Sequence, residues 1–315
     1  MRWKAGETLP ELPAGPGVAQ LLGPDERPLL TGRPASLRRW VAGQLGPPRT
    51  VPAGRRAPTD LRPLARAVRY LTTTGRFEQR LVHERWLAPI VPTSKRRDLR
   101  PPAFLHLDPD QRFPRVTVRA EVTGEGLFFG PFRDRAAAER ALKPLLRRFP
   151  LRPCDFEFEP RPGLPLGESC FFAQVRTCSA PCLERIPAGA YRGLAEAAAQ
   201  FLADAGSREA DAGDWLPRDC GEARGCALVV ERLKSGLQVF PVRDGSVLEG
   251  QALALATETD PGEALAGLDW QAPAAADDRV WLANWLLEPK RSATWLPVGA
   301  SRGAAGLAAR VRVIS

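Results

Sequence analysis

The sequence predicts an α+β protein built from three small units. Short apolar runs bounded by Gly and Pro alternate with amphipathic segments of helical period, which is typical of mixed strands and helices. A stretch that holds four of the six cysteines follows neither period, and a polar linker separates it from the last third of the chain. With 315 residues, 44% of them hydrophobic, the chain is long enough for two or three small cores. The predicted units are residues 1–110, 111–206 and 226–315, with a linker at 207–225.

The first unit is predicted to be a small α+β domain, in which Ser36 caps a helix by accepting a hydrogen bond from its first turn. The strands of this unit are expected near residues 17–22, 28–31 and 103–107, and its helices near 36–45, 60–71 and 77–88. The second unit is expected to have strands at 115–121 and 127–130 and a helix at 134–149.

The last unit is predicted to begin with a β-hairpin, since apolar runs at 226–233 and 237–245 flank a Lys-Ser-Gly turn. A helix is expected at 279–288. Trp281 and Trp285 lie four residues apart on its apolar stripe, a spacing that favours core packing over stacking on nucleobases.

Four cysteines in the second unit, Cys154, Cys170, Cys178 and Cys182, have a spacing that indicates ligation. The chain between them is rich in Pro, Gly and charge, so an apolar face cannot fix it and a bound metal would. Thiolates suit zinc or an iron-sulfur cluster, and the spacing alone does not choose between them. The alternative is four free cysteines that pack as small hydrophobic side chains.

Charge is distributed unevenly along the chain. Residues 1–153 contain 29 Lys and Arg against 14 Asp and Glu, whereas the remainder contains 16 against 22. A basic half of this kind predicts contacts with the phosphates of DNA, which position a protein without reading sequence. The clusters expected to make these contacts include Arg33, Arg38, Arg39, Arg55, Arg56, Lys95, Arg96, Arg97, Arg147 and Arg148. Arginine accounts for 40 of the 45 basic residues, so codon bias is an alternative source of part of this excess.

Several motifs around the cysteines resemble those of the UvrC excinuclease family. They are FFGPF at 128–132, the helix-like run that ends at Cys154, and FFAQVRTCSAPC at 171–182. The resemblance covers about residues 12–205, and the last unit resembles the tail of the shorter homologue Cho. It implies a [4Fe-4S] cluster bound by the four cysteines, with Zn²⁺ as the alternative.

The same resemblance implies a GIY-YIG nuclease domain at the N-terminus, but with a degenerate site. The two motifs correspond to Pro-Gly-Val-Ala at 16–19 and Leu-Thr-Gly at 30–32, so that Ala19 and Leu30 replace the two tyrosines. Arg38 and Glu84 match the catalytic arginine and the glutamate that binds Mg²⁺ or Mn²⁺, although both can equally be ordinary surface and helix residues. Without a tyrosine to move a proton, we expect little or no hydrolysis.

The resemblance therefore implies a DNA-binding protein associated with nucleotide excision repair, with damaged or distorted duplex and excision-repair proteins as partners. One alternative is an active structure-selective endonuclease that makes a single metal-dependent incision, and another is a protein-binding assembly or regulatory factor. Because no apolar leader or run of about 18 apolar residues is present, neither secretion nor a membrane location is expected. We expect a cytoplasmic protein.

Overall fold

The computed structural model describes residues 11–46, 59–92, 95–168, 170–204, 221–298 and 304–314. Within these ranges the strands form three separate sheets, and helices pack against each of them, which confirms the predicted α+β class. Arg55, Arg56 and most of the expected linker at 207–225 lie outside the described residues. In the part of the chain that the structure describes, no helix combines the length and apolarity needed to cross a membrane.

The N-terminal domain is a three-stranded antiparallel sheet of order β2-β1-β3. Its elements are β1 (Gly17–Leu22), β2 (Pro28–Gly32), α1 (Leu37–Leu45), β3 (Ala67–Thr72) and α2 (Arg76–Leu87). Ser36 caps α1 as predicted, accepting a hydrogen bond from the backbone N–H of Arg39 at 3.3 Å.

The helix predicted at 60–71 is wrong, because most of this segment's second half forms strand β3. Its side chains alternate between the two faces of the sheet, as a strand requires. Val68 packs in the core beneath α1, whereas the neighbouring Arg69 lies over the ring of Trp86 on α2. Pairing with β1 stabilises the extended form.

The cysteine domain, residues 103–204, has a sheet of order β5-β4-β6-β7. Its elements are β4 (Ala103–Leu107), β5 (Val116–Arg119), β6 (Leu127–Phe132), α3 (Arg135–Arg148), α4 (Pro165–Glu168), α5 (Phe171–Gln174), α6 (Ala188–Ala203) and the distant β7 (Gly221–Glu222). Strand β4 was expected in the first unit, but it pairs with β5 and β6, and its Leu105 is buried in the same core as α3 and α6.

The C-terminal domain begins with the predicted hairpin and continues into a sheet of order β10-β9-β8-β12, with β11 paired to β9. Its elements are β8 (Cys226–Leu233), β9 (Gly236–Arg243), β10 (Ser246–Val247), β11 (Leu253–Ala256), α7 (Pro261–Ala266), α8 (Arg279–Leu286), β12 (Thr294–Val298) and α9 (Ala304–Arg312). Trp281 and Trp285 are buried in the core between α8 and the hairpin, which confirms that they pack rather than stack on bases.

Helix α2 joins the N-terminal domain to the C-terminal domain. Phe77 is fully buried, with its ring centroid 5.0 Å from that of Phe240 and 4.9 Å from that of Trp285. The helix starts after Gly75, which has no capping side chain, and Glu231 of β8 accepts hydrogen bonds from the backbone N–H groups of residues 76 and 77 instead. A Cβ on Gly75 would lie 2.0 Å from this carboxylate, so a larger residue would push the carboxylate away from the start of the helix. Helix α2 of the N-terminal domain therefore packs into the core of the C-terminal domain, while the N-terminal sheet keeps a separate core.

Candidate functional site

Glu84 lies on the buried side of α2, and its side chain is 3% exposed. Both of its oxygens are bound by Arg96: Nη1 donates to Oε2, and Nη2 donates to Oε1 at 3.3 Å. Arg80, one helical turn earlier, places Nε 3.5 Å from Oε1. A buried carboxylate is tolerated only where cations or hydrogen-bond donors compensate the loss of water, and these two arginines do so.

The neighbours of Glu84 form a charge cluster that reaches from the buried Glu84 to the surface, which we call the Glu84 cluster: Arg33, Arg80, Glu84, Arg96, Asp98 and Glu288. Burial opposes ionisation of Glu84, but the adjacent His83 and Arg96 together with the charge of Arg80 bring its pKa below the ordinary value. Nδ1 of His83 is 3.7 Å from Oε1, which is too long for a hydrogen bond. The carboxylate is therefore ionised and already paired at neutral pH.

Arg33 and Arg38, two of the basic residues expected to contact DNA, lie in different surroundings. Arg33 keeps part of its surface in solvent and lies within electrostatic reach of Arg80 and Glu84, where partial burial and the charge of Arg80 lower its pKa. Arg38, the expected catalytic arginine, instead donates through Nε to the carbonyl of Leu12 at 2.9 Å. Its guanidinium also lies 3.8 Å from the carboxylate of Glu11. Arg33, rather than Arg38, is thus the arginine that shares the electrostatic surroundings of Glu84.

The two positions expected to hold tyrosines are apolar and sit within the N-terminal sheet. Ala19 on β1 is fully buried and lies opposite Tyr70 of β3. Leu30 on β2 lies opposite Leu21 and packs in the core under α1. Neither side chain can donate or accept a proton.

The basic residues predicted to meet DNA differ in exposure. Those that are exposed are Arg33, Arg38, Arg39, Lys95, Arg97, Arg147 and Arg148. The side chain of Arg96 is only 6% exposed, and besides Glu84 it binds Asp98 through Nη2 at 2.6 Å. The guanidinium of Arg148 lies 4.7 Å from the ring of Phe201, so its stem is held on the protein surface.

The four cysteines are all free thiols within the cysteine domain. Cys178 is buried and the other three are half-buried. The backbone N–H of Ala180 donates to Sγ of Cys178 at 3.3 Å, and the left-handed conformation of Ala180 (φ 53°) turns the chain toward Cys182. A small apolar cluster of Leu164, Ala180 and Leu183 supports this turn.

The thiols are close enough to influence one another. Burial, followed by the proximity of Cys154, Cys170 and Cys182, raises the pKa of Cys178 to about 11. Burial and the first two of these neighbours raise the pKa of Cys182 as well. Among the described residues, however, no three His, Cys, Asp or Glu side chains are grouped closely enough to hold a single metal ion. The thiols therefore occupy one neighbourhood without closing around one ion.

A buried hydrogen-bond chain orders the approach to Cys154. The hydroxyl of Tyr191 donates to the carbonyl of Pro114 at 2.8 Å and accepts from the backbone N–H of Arg152 at 2.7 Å. Nη1 of Arg152 donates in turn to the carbonyl of Phe156 at 2.8 Å. Because both hydroxyl partners are backbone groups, Tyr191 fixes the path of the chain into the cysteines.

Sequence reasoning missed the partners of Glu84 and the role of Glu231. Arg80 was within reach of sequence analysis, since residues four apart on a helix are neighbours. Arg96 and Glu231 meet α2 through tertiary contacts, for which the sequence offers no local signal.

Comparisons with known proteins agree with the geometry of the cysteine domain. Residues 103–201 match the family model described as the UvrC/Cho excinuclease middle domain. The chain is 34% identical over 197 residues to UvrABC system protein C of Geobacter metallireducens, covering 61% of this chain and 30% of the relative. The corresponding protein of Cereibacter sphaeroides is 32% identical over 213 residues, covering 62% and 30%.

The chain spans about a third of the length of these curated relatives. No solved structure matches it. The family match begins at the first residue of β4 and ends within α6, which are the bounds of the sheet and helices that surround the cysteines. Residues 103–201 are thus similar to the middle domain of the UvrC/Cho excinuclease family.

Proposed function

We propose that this chain is a DNA-binding protein associated with nucleotide excision repair, which lacks efficient nuclease activity and holds an iron-sulfur cluster. Its relatives named UvrABC system protein C support the association with repair. The exposed basic residues of the N-terminal half support DNA as the partner. The observation that carries the proposal of inactivity is the bidentate pairing of Glu84 with Arg96.

Metal-assisted phosphodiester hydrolysis needs a free carboxylate for the metal and a group that activates water. Glu84 uses both oxygens on Arg96 and faces Arg80 as well, so a divalent cation would have to displace one guanidinium and approach the other. Ala19 and Leu30 offer no group for the proton. Both requirements are thus unmet by the residues that match the family's site.

A nicking assay tests inactivity directly. Supercoiled DNA and a duplex with a mismatched bubble would be incubated with the protein and Mg²⁺ or Mn²⁺, beside a Glu84→Gln variant. We expect no difference between the two proteins, because the carboxylate is not available to metal. Metal-dependent nicking by the wild type that Glu84→Gln abolishes would establish the endonuclease function instead.

In the proposed cluster site, Cys154, Cys170, Cys178 and Cys182 are the ligands. Four thiols from one domain match the donor set of a [4Fe-4S] cluster, and a cluster bound there would cross-link a segment that has little apolar core of its own. Protein purified without oxygen should contain iron and acid-labile sulfide and absorb visible light. Cys178→Ser should lose both, whereas the control Cys226→Ser, outside the domain, should keep them. About one zinc per chain with no iron would support the zinc alternative.

DNA binding through the N-terminal half is tested by charge reversal. If about six phosphate contacts form, the logarithm of the affinity should fall with the logarithm of salt concentration with a slope near −5. Lys95→Glu with Arg97→Glu should weaken duplex binding and make the slope shallower by about 2. The matched control is Lys234→Glu with Lys290→Glu, two exposed lysines of the C-terminal domain. Equal losses from both pairs would contradict the proposed location.

A further inference from the structure

The short helix α5 presents large apolar side chains to solvent. Phe171 is 66% exposed, Val175 46% and Phe172 39%. The next residue of the helix, Ala173, packs partly buried against the small apolar cluster of Leu164, Ala180 and Leu183. A four-residue helix that buries alanine and exposes two phenylalanines is the reverse of the pattern expected from burial alone.

The exposed rings are held by an ordered backbone. The carbonyl of Phe172 accepts hydrogen bonds from the backbone N–H of Thr177 at 3.0 Å and of Cys178 at 3.2 Å. The hydroxyl of Thr177 donates to the same carbonyl at 3.3 Å. The ring centroids of Phe171 and Phe172 are 6.1 Å apart in an edge-on arrangement. An ordered backbone thus presents two aromatic side chains at the surface, in the segment between Cys170 and Cys178.

A cationic residue, Arg176, follows α5 in the same turn of chain. Arg176 is exposed, and within the described residues it forms no ion pair. It adopts a left-handed conformation with φ 57°, which is uncommon for residues other than glycine, and its N–H closes the turn onto Ala173. Exposed aromatic rings and an exposed arginine within six residues of chain combine the two features that bind an unstacked base and its phosphate.

We propose that Phe171 and Phe172 form a stacking platform for an unpaired nucleobase, with Arg176 placed for the neighbouring phosphate. This inference rests on the proposed function as a DNA-binding protein, and it adds what part of the DNA is recognised. The basic N-terminal half would bind the backbone of any duplex, since phosphate contacts carry no sequence information. The platform would add affinity only where a base has left the stack, so it would give a preference for distorted DNA.

The test compares binding to a duplex with binding to the same duplex carrying a central run of mismatched bases, one of them 2-aminopurine. Fluorescence anisotropy gives the two dissociation constants, and the 2-aminopurine emission reports stacking of that base. Wild type should bind the mismatched DNA more tightly and quench the emission. Phe171→Ala with Phe172→Ala should weaken that binding about tenfold or more, with duplex affinity unchanged within about twofold.

Further variants separate stacking from general apolar contact. Phe171→Leu with Phe172→Leu keeps the apolar surface but removes the rings, so it should behave like the alanine variant. Val313→Ala, at an exposed apolar residue of the C-terminal domain, should leave both affinities unchanged. Arg176→Gln should weaken binding to mismatched DNA and make its salt dependence shallower by about 0.7 to 0.9.

The outcomes distinguish this inference from the proposed function. A wild type that binds neither DNA would overturn both. Normal binding by the wild type, with the phenylalanine variants losing duplex and mismatched DNA equally or losing neither, would overturn the platform alone. Unchanged DNA binding combined with loss of self-association in sedimentation would assign the rings to a protein contact and also overturn it.

Discussion

The cysteine domain and the joint between α2 and the C-terminal domain are stabilised by different kinds of contact. The cysteine domain is built around an apolar cluster from its sheet, α3 and α6, into which Tyr191 brings one hydroxyl. The joint instead buries three carboxylates, those of Glu84, Glu231 and Asp278, beside an aromatic cluster around Phe77. The part of the molecule that matches the family model is the one with the apolar core.

The difference between these two kinds of contact indicates which positions tolerate substitution. An apolar core requires volume and pattern, which many side-chain combinations satisfy. A buried carboxylate requires particular donors: Arg96 and Arg80 for Glu84, the start of α2 for Glu231, and the side chain of Arg85 at 2.9 Å for Asp278. A buried carboxylate therefore tolerates few changes in its partners. The joint should accept fewer substitutions than the apolar core of the cysteine domain.

The largest effect expected from breaking the joint is that of Phe77→Ala. Phe77 is fully buried among Phe240, Trp281 and Trp285, so truncation leaves a cavity between the two domains. We expect the free energy of unfolding in urea to fall by about 3–5 kcal/mol. A loss under about 1 kcal/mol would show that the two domains do not share this core in solution. Phe171→Ala, at an exposed ring, is the control and should change stability by less than about 0.5 kcal/mol.

This joint also marks the limit of what sequence patterns can predict. The alternating pattern of the hairpin and the apolar stripe of α8 predicted the bounds of both elements to within a few residues, because local periodicity reports local structure. The same patterns could not reveal that Phe77 packs on Trp285 across the domains. For the same reason β4 was predicted as a strand with its observed bounds but assigned to the wrong sheet, since periodicity does not identify a strand's partners.

The next effect in size is that of Arg96→Ala, which leaves the carboxylate of Glu84 without its main partner. Removing one member of a buried pair typically costs about 3–5 kcal/mol, and the remaining Arg80 should hold the loss near 3 kcal/mol. The control is Arg97→Ala at the adjacent exposed arginine, with an expected change below about 0.5 kcal/mol. If the two variants unfold at the same urea concentration, the pairing of Arg96 with Glu84 is not a stabilising contact.

The pH dependence of stability sharpens the same point. The pKa of Glu84 is lowered in the folded protein, so its pair stabilises the fold above the ordinary glutamate pKa of 4.5 and is lost as the pH falls through the lower folded value. Wild type should therefore lose more stability than Glu84→Gln as the pH is lowered from 5 into this range. Parallel pH profiles for the two proteins would contradict the assignment.

The sequence was more informative about the position of the cysteines than about the surroundings of Arg38 and Glu84, and the reason is physical. The four cysteines were named as ligands because ligand spacing is a local feature, and the structure places them in one neighbourhood, while their ligand role stays a prediction. Arg38 and Glu84 were named by position in a motif, but what they do depends on Leu12, Glu11 and Arg96, which reach them through tertiary contacts. The motif therefore identified these two residues, but their contacts could be read only from the fold.

The smallest effect is expected in the cysteine domain, from Tyr191→Phe. The ring remains in the apolar core, so no cavity forms, but the carbonyl of Pro114 and the N–H of Arg152 lose their shared partner. Two backbone groups left without one hydroxyl should cost about 1–2 kcal/mol of unfolding free energy. Because the lost bonds fix the chain that leads to Cys154, the variant should also hold the proposed iron-sulfur cluster less firmly, measured as iron retained during dialysis against a chelator. A variant that unfolds like wild type and retains as much iron as wild type would show that the apolar core alone positions the cysteines. The cysteine domain would then depend on apolar packing, whereas the joint depends on paired charges.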